Sequence, residues 1–132
     1  MNRLLACFLL VALAACGGDE ITGPTEISFE DITVGTGATA ALGDVVTVHY
    51  TLFLANGTRL ESSLDTGTPI TFQLGVGAVI PGFERGILGM RVGGKRRVTV
   101  PPALGYGSQP NGSIPGNSTL RFEIELVSIA GR

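Results

Sequence analysis

The chain is poor in the residues that covalent and metal chemistry require. Among its 132 residues are two cysteines and one histidine. His49 has no second histidine or cysteine beside it, so the usual ligand set of a zinc site is missing. Ser62 and Ser63 are present, but neither sits in a nucleophile pattern with His49, which reads instead as a histidine satisfied within a sheet. Glu61 and Asp65 could be drawn as an acid–base pair, yet nothing else of a hydrolase accompanies them. Cys7 lies inside an N-terminal apolar run and Cys16 closes it, so no pair is left for an intramolecular disulfide, and the core must hold by burial. Charged residues make up 15% of the chain and the formal net charge is −2. With no polybasic face or acidic tail, composition gives no argument for nucleic acid. Lys95-Arg96-Arg97 is the one basic run and reads as the solvated face of an exposed strand. Gly75-Val76-Gly77 lacks the third glycine of a dinucleotide loop. Gly93-Gly94-Lys95 lacks phosphate-loop spacing and leads into a strand.

Present in its place is a three-part organisation. Arg3 gives a positive start, residues 4–15 are almost wholly apolar, and small residues close the run. That is the layout of a secretory signal peptide over 1–15, too short for a membrane-spanning helix. Leu13-Ala14-Ala15-Cys16 resembles the lipobox of bacterial lipoproteins, which implies lipid on Cys16 and a membrane anchor there. An ordinary cleaved signal with an incidental cysteine is the alternative. Gly17, where an aspartate would favour the inner membrane, directs the expectation to the outer membrane of the cell envelope, facing the periplasmic space. Residues 16–25 carry Gly17-Gly18 and Gly23-Pro24 with no apolar period, as a flexible tether does. The globular domain is expected over 26–132, one domain's worth of chain.

Most of that domain reads as strands. Residues 27–34 mix alternation with polar breaks. In residues 45–54, Val46, Val48, Tyr50 and Leu52 share one face at the period of two that marks a strand. Asn56-Gly57 predicts a type I′ hairpin turn, whose two central residues need positive φ. Residues 58–61 return as the partner strand, and 70–74 form another. Pro81 suits a first helical turn, where its missing N–H is no loss. Phe83, Ile87 and Met90 keep a helical period until Gly89 and Gly93-Gly94 end it. Residues 95–100 and 120–127 are two further strands. Many strands, short hairpins and one short helix give an α+β class, with a curved antiparallel sheet half-wrapped around the helix. Between Val48 and Phe122 such a sheet would gather apolar and aromatic side chains into one concave pocket. With no nucleophile beside it, the pocket suits a reaction without bond chemistry, such as rotation about a peptide bond. Plain core is the competing account of the same residues.

Taken in order, Val48-His49-Tyr50-Thr51, Asn56-Gly57, Glu61-Ser62-Ser63, Phe72-Gln73-Leu74-Gly75, Val79-Ile80-Pro81-Gly82-Phe83, Gly105-Tyr106-Gly107, Ile114-Pro115 and the run from Leu120 to Leu126 resemble the FKBP-type peptidyl-prolyl cis-trans isomerases. The likeness covers residues from about 27 to 129 and makes 26–132 the isomerase domain. It implies a proline-binding pocket. Tyr50, Glu61, Phe83 and Tyr106 match the positions nearest catalysis. Leu60, Ile70, Phe72, Val79, Ile80, Ile114 and Phe122 match substrate-binding positions. The Ile80 amide falls where the family commonly bonds a ligand carbonyl. Phe83 stands where the family often has tryptophan, Leu60 where it often has phenylalanine, and Glu61 where it usually has aspartate. The resemblance implies no cofactor and no metal. Its implied partners are proline-containing unfolded or partly folded proteins and macrolide inhibitors, with no nucleic acid. A proline-segment binding module with little or no catalysis is the alternative to the enzyme.

Overall fold

The alternation in residues 120–127 builds the centre of the molecule. The computed structural model describes residues 26–131. The signal segment 1–15, Cys16 and the tether 16–25 lie outside the described residues. Strand β6 (Leu120–Ile129) buries Leu120, Phe122, Ile124 and Leu126 on one face, with Arg121, Glu123 and Glu125 between them. Strand β2 (Val45–Leu54) pairs antiparallel with β6 from Val46↔Ile129 to Leu54↔Leu120. The other edge of β2 is shared by two short strands. β3 (Arg59–Ser62) pairs with its C-terminal part and β4 (Ile70–Gln73) with residues 45–48. Beyond β6 lies β5 (Lys95–Val100), and beyond that β1 (Ser28–Thr33), all of whose residues are exposed. The order is β1-β5-β6-β2-β3 with β4 also on β2, a six-stranded antiparallel sheet that does not close.

Helix α1 (Pro81–Ile87) lies against β5 and β6. Pro81 occupies the first turn, as expected, and Ile80 is the N-cap. The helix stops earlier than its apolar period suggested. Leu88 leaves helical geometry and Gly89 has φ +86°, so Met90 is buried from a turn. The helix meets the sheet through glycine. A Cβ on Gly82 would stand 2.3 Å from a Val100 methyl, and one on Gly86 would stand 2.9 Å from Val98.

Two local expectations need correction. The turn at Asn56-Gly57 is not type I′, since among the described residues only Asn117 is a non-glycine with positive φ. The Gly57 N–H donates to Leu54 O, Gly57 itself has φ +96°, and the Leu54 N–H donates to Thr58 O. This is the three-residue hairpin loop with a left-handed glycine at its end. Asn56 serves it by a side-chain bond from the Thr58 N–H to Oδ1 at 2.9 Å. The second correction concerns Arg96, which is not on a solvated face and is only 6% exposed. Strand alternation places it on the inner face with Val98 and Val100, while Lys95 and Arg97 face outward.

Candidate functional site

The inner rows of β2 and β6, together with α1, put aromatic rings in one place. Phe83, 3% exposed, projects from α1 between the two strands. Its ring meets Phe122 of β6 at 4.9 Å between centroids with an interplanar angle of 63°, and Tyr50 of β2 at 5.6 Å and 78°. Both are edge-to-face arrangements that aromatic quadrupoles favour. Tyr50 and Phe122 are 6.3 Å apart. Above these rings opens a cavity of about 490 Å³ lined by Tyr50, Leu52, Glu61, Ile70, Gly77, Ala78, Val79, Ile80, Phe83, Tyr106 and Phe122.

Eight of the residues anticipated from the sequence therefore share one wall or floor: Tyr50, Glu61, Ile70, Val79, Ile80, Phe83, Tyr106 and Phe122. Leu60, Phe72 and Ile114 do not line the cavity. Phe72 is partly buried against the core, its ring 5.8 Å from that of Phe83. Leu60 packs half-buried against the core from β3, and Ile114 is buried where its backbone bonds that of Asn111 in a tight turn. Leu52, Gly77 and Ala78 line the cavity without having been anticipated. The signal for Leu52 was available, since it follows Tyr50 at the strand period on the same face.

Polar groups are few and fixed. The Tyr50 hydroxyl donates to Glu61 Oε2 at 2.7 Å. Burial, then the bond to Glu61 and its charge, and last Tyr106, push the Tyr50 hydroxyl up to a pKa of about 12. Glu61 is thus held by a tyrosine, whereas Asp65 belongs elsewhere. Arg59 donates to both Asp65 oxygens at 2.7 and 3.3 Å, and this bonding lowers the Asp65 carboxyl below its ordinary range. The two carboxylates do not form an acid–base pair. His49 is satisfied within the sheet, its Nδ1 2.9 Å from Ser63 Oγ, which also accepts the Tyr50 N–H at 2.8 Å.

The segment before α1 is held from the helix itself. Glu84 accepts the Gly75 N–H at 2.9 Å. Gly75 has φ +94°, a conformation glycine adopts without penalty. The bond closes residues 75–80 into a loop that delivers Val79 and Ile80 to the cavity rim. As N-cap, Ile80 accepts from the Phe83 and Glu84 N–H groups, and among the described residues its own N–H meets no protein acceptor. Opposite, Tyr106 is 36% exposed in a loop between Gly105 and Gly107. Its neighbours are anchored: the Gly107 N–H donates to Pro102 O at 2.8 Å and Gly107 O accepts from Asn117 N at 2.7 Å. The cavity can hold a compact apolar ring and offers it two hydrogen-bonding groups, one backbone N–H and one phenol.

Comparison with known proteins gives a consistent result. A family model described as FKBP-type peptidyl-prolyl cis-trans isomerase matches residues 37–127. The chain is 44% identical to FK506-binding protein 2 of Dictyostelium discoideum, over 96% of this chain and 98% of that protein. It is 48% identical to an FK506-binding protein of Neisseria meningitidis, over 76% of this chain and 93% of that one. The crystal structure of AtFKBP13 superposes with a TM-score of 0.76 at 38% identity, covering 83% of this chain and 97% of that chain.

Proposed function

The chain belongs to the FKBP-type peptidyl-prolyl cis-trans isomerases, and we propose that it performs X–Pro rotation in the cavity above Phe83, with the proline ring seated among Tyr50, Phe83 and Phe122. The observation that carries this placement is the meeting of three rings under one opening lined also by Ile80, whose N–H has no protein acceptor among the described residues.

The chemistry follows from amide resonance. Rotation about a peptide bond faces a barrier of roughly 18–20 kcal/mol because the C–N bond has double-bond character. Prolyl bonds populate both isomers but exchange over about tens to hundreds of seconds. In the planar amide, charge is drawn from nitrogen onto the carbonyl oxygen. Twisting ends the resonance and returns that charge, so the twisted form is the less polar. A cavity walled by rings and aliphatic chains disfavours the planar form more than the twisted one, and no bond to the substrate is made. A hydrogen bond to the rotating carbonyl would favour the planar form. The Ile80 N–H therefore assists by holding a neighbouring substrate carbonyl, and the Tyr106 hydroxyl orients the chain from the opposite side. Glu61 takes part through Tyr50, whose hydroxyl it holds against the wall.

The ligands follow from the same shape. Substrates are proline-containing segments of unfolded or partly folded proteins. The relatives named for FK506 support macrolides as competitors for the cavity. The Leu13-Ala14-Ala15-Cys16 motif supports a lipid anchor at Cys16 and an envelope location, with clients among secreted or periplasmic proteins. The direct test is cis-to-trans relaxation of a proline peptide. We expect acceleration by micromolar protein that Phe83→Ala lowers at least about tenfold. A flat rate from protein shown to be folded would refute the placement.

A further inference from the structure

We propose that Arg96 is a positioning residue for the pocket. Through it the edge strand β1 holds α1, and with α1 the Ile80 amide and the Phe83 ring, in register with the sheet. The kinetic part of this proposal rests on the isomerase reading above; its geometric part does not.

A guanidinium keeps its charge and presents several N–H donors, so its burial must be answered by acceptors. Arg96 finds them on two elements. Its Nε donates to Asp31 Oδ1 of β1 at 2.7 Å. One terminal nitrogen donates to Gly86 O at 3.1 Å and Leu88 O at 3.0 Å, at the C-terminal end of α1. Phe29 of β1 lies under the guanidinium, 4.1 Å from ring centroid to carbon. The carbonyls of a last helical turn have no partner within the helix, and a cation there meets the favourable end of its dipole.

Arg96 shares the inner row with Val98 and Val100. An apolar side chain in that row would bury at lower desolvation cost. What a forked donor adds is a fixed link among three elements. The link matters because the remaining contact of α1 with β5 is smooth. Gly82 and Gly86 lie flat on Val100 and Val98, with no side chain to resist sliding. Beside the packing of Phe83 and Ile87 in the core, directional restraint comes from hydrogen bonds: Glu84 to Gly75 on one side, Arg96 on the other. Gly86 is one turn from Phe83, so displacement of that end carries the pocket floor with it. Asp31 and Phe29 precede residue 37, where the family match begins. The anchor of the link is therefore supplied from outside the matched segment.

The experiment compares Asp31→Ala, Asp31→Glu and Arg96→Lys with Glu30→Ala in the full-length chain. Glu30 is the matched control. It forms the neighbouring β1–β5 ion pair with Arg97 at 3.5 Å, on the face away from the helix. We expect Asp31→Ala and Arg96→Lys to move the NMR signals of the Ile80 amide and the Phe83 ring. Both should lower kcat about three- to tenfold with little change in KM. Asp31→Glu should restore both readouts in part, and Glu30→Ala should move neither. If the shifts in Asp31→Ala stay within β1 and β5 and its kcat matches that of Glu30→Ala, the proposal is wrong. Should Arg96→Lys fail to fold, Asp31→Ala decides, because its side chain is partly exposed. If the unmodified protein shows no isomerase activity, the functional reading falls and the NMR comparison alone decides this one.

Discussion

Among the described residues, Tyr50 is the one whose titration departs furthest from its free state. Its hydroxyl is a donor to Glu61, and its pKa stands near 12 against an ordinary 10. With only two tyrosines in the chain, Tyr106→Phe leaves Tyr50 as the sole phenol to titrate. We predict that phenolate absorbance in that variant still rises well above pH 10, though below the native value, because Tyr106 is the smallest of the causes that raise it. Glu61→Gln should bring it down while burial keeps it above 10. The sign for stability follows from a pKa raised on folding. The contribution of this group is whole below about pH 10 and is lost as pH climbs through about 12. A Tyr106→Phe titration centred at 10 would contradict the bond. Phe83 gives a second prediction. Emptying a buried phenylalanine site costs about 3–5 kcal/mol. Phe83→Ala should show that loss in denaturant unfolding, with kcat/KM down by at least about tenfold, the equivalent of roughly 1.4 kcal/mol. Tyr106→Phe should act mainly on KM. At this scale the site was legible where type and spacing agreed, as for Tyr50, Phe83 and Phe122. Arg96 was missed because three consecutive basic residues suggest solvent. Yet alternation sends the middle one inward, and its partner Asp31 is 65 positions away in sequence. Ile114 and Leu60 matched positions by order of motifs, which carries no information on where a side chain finishes.

The element that decides the pocket is α1, seven residues lying on β5 through two glycines. Its apolar spacing was readable, and Pro81 marked its start. Its end was not readable, because Met90 continues the helical period although the backbone has already turned at Leu88 and Gly89. Periodicity reports which residues are buried, and a turn can bury one as well as a helix. The Asn56-Gly57 hairpin shows a similar limit. The dipeptide indicated a tight turn correctly, but loop length, set by the register Phe53↔Arg59, selected the turn type. The close fit of helix to strand yields a prediction at this scale. Gly82→Ala should cost about 1–3 kcal/mol, since its Cβ would stand 2.3 Å from a Val100 methyl. Val100→Ala alone leaves a void. Together the two should recover part of the loss, with a coupling above about 0.5 kcal/mol in a double-mutant cycle. Additive free energies from denaturant titration would mean that α1 shifts freely on β5.

For the whole molecule, the strand order β1-β5-β6-β2-β3 could not be read from alternation. A period of two assigns faces and is silent about neighbours, which here join residues as distant as Val46 and Ile129. Resemblance supplied the half-wrapped sheet, and the six unclosed strands agree with it. The same scale holds the question of where the molecule resides. The cavity is built wholly from residues 50–122, so nothing in it depends on Cys16. Anchor and catalysis should separate cleanly. A single acyl chain binds membranes only marginally, whereas two or more hold stably, so a fully processed Cys16 would keep the protein in the membrane fraction. We predict that Cys16→Ser moves the protein to the soluble fraction, removes the acyl mass from its N-terminal peptide, and leaves kcat/KM on a proline peptide unchanged. If Cys16→Ser protein still sedimented with membranes, or if the native N-terminal peptide carried no lipid mass, the short motif at residues 13–16 would be an incidental cysteine at the end of an ordinary signal, and the domain would work unattached.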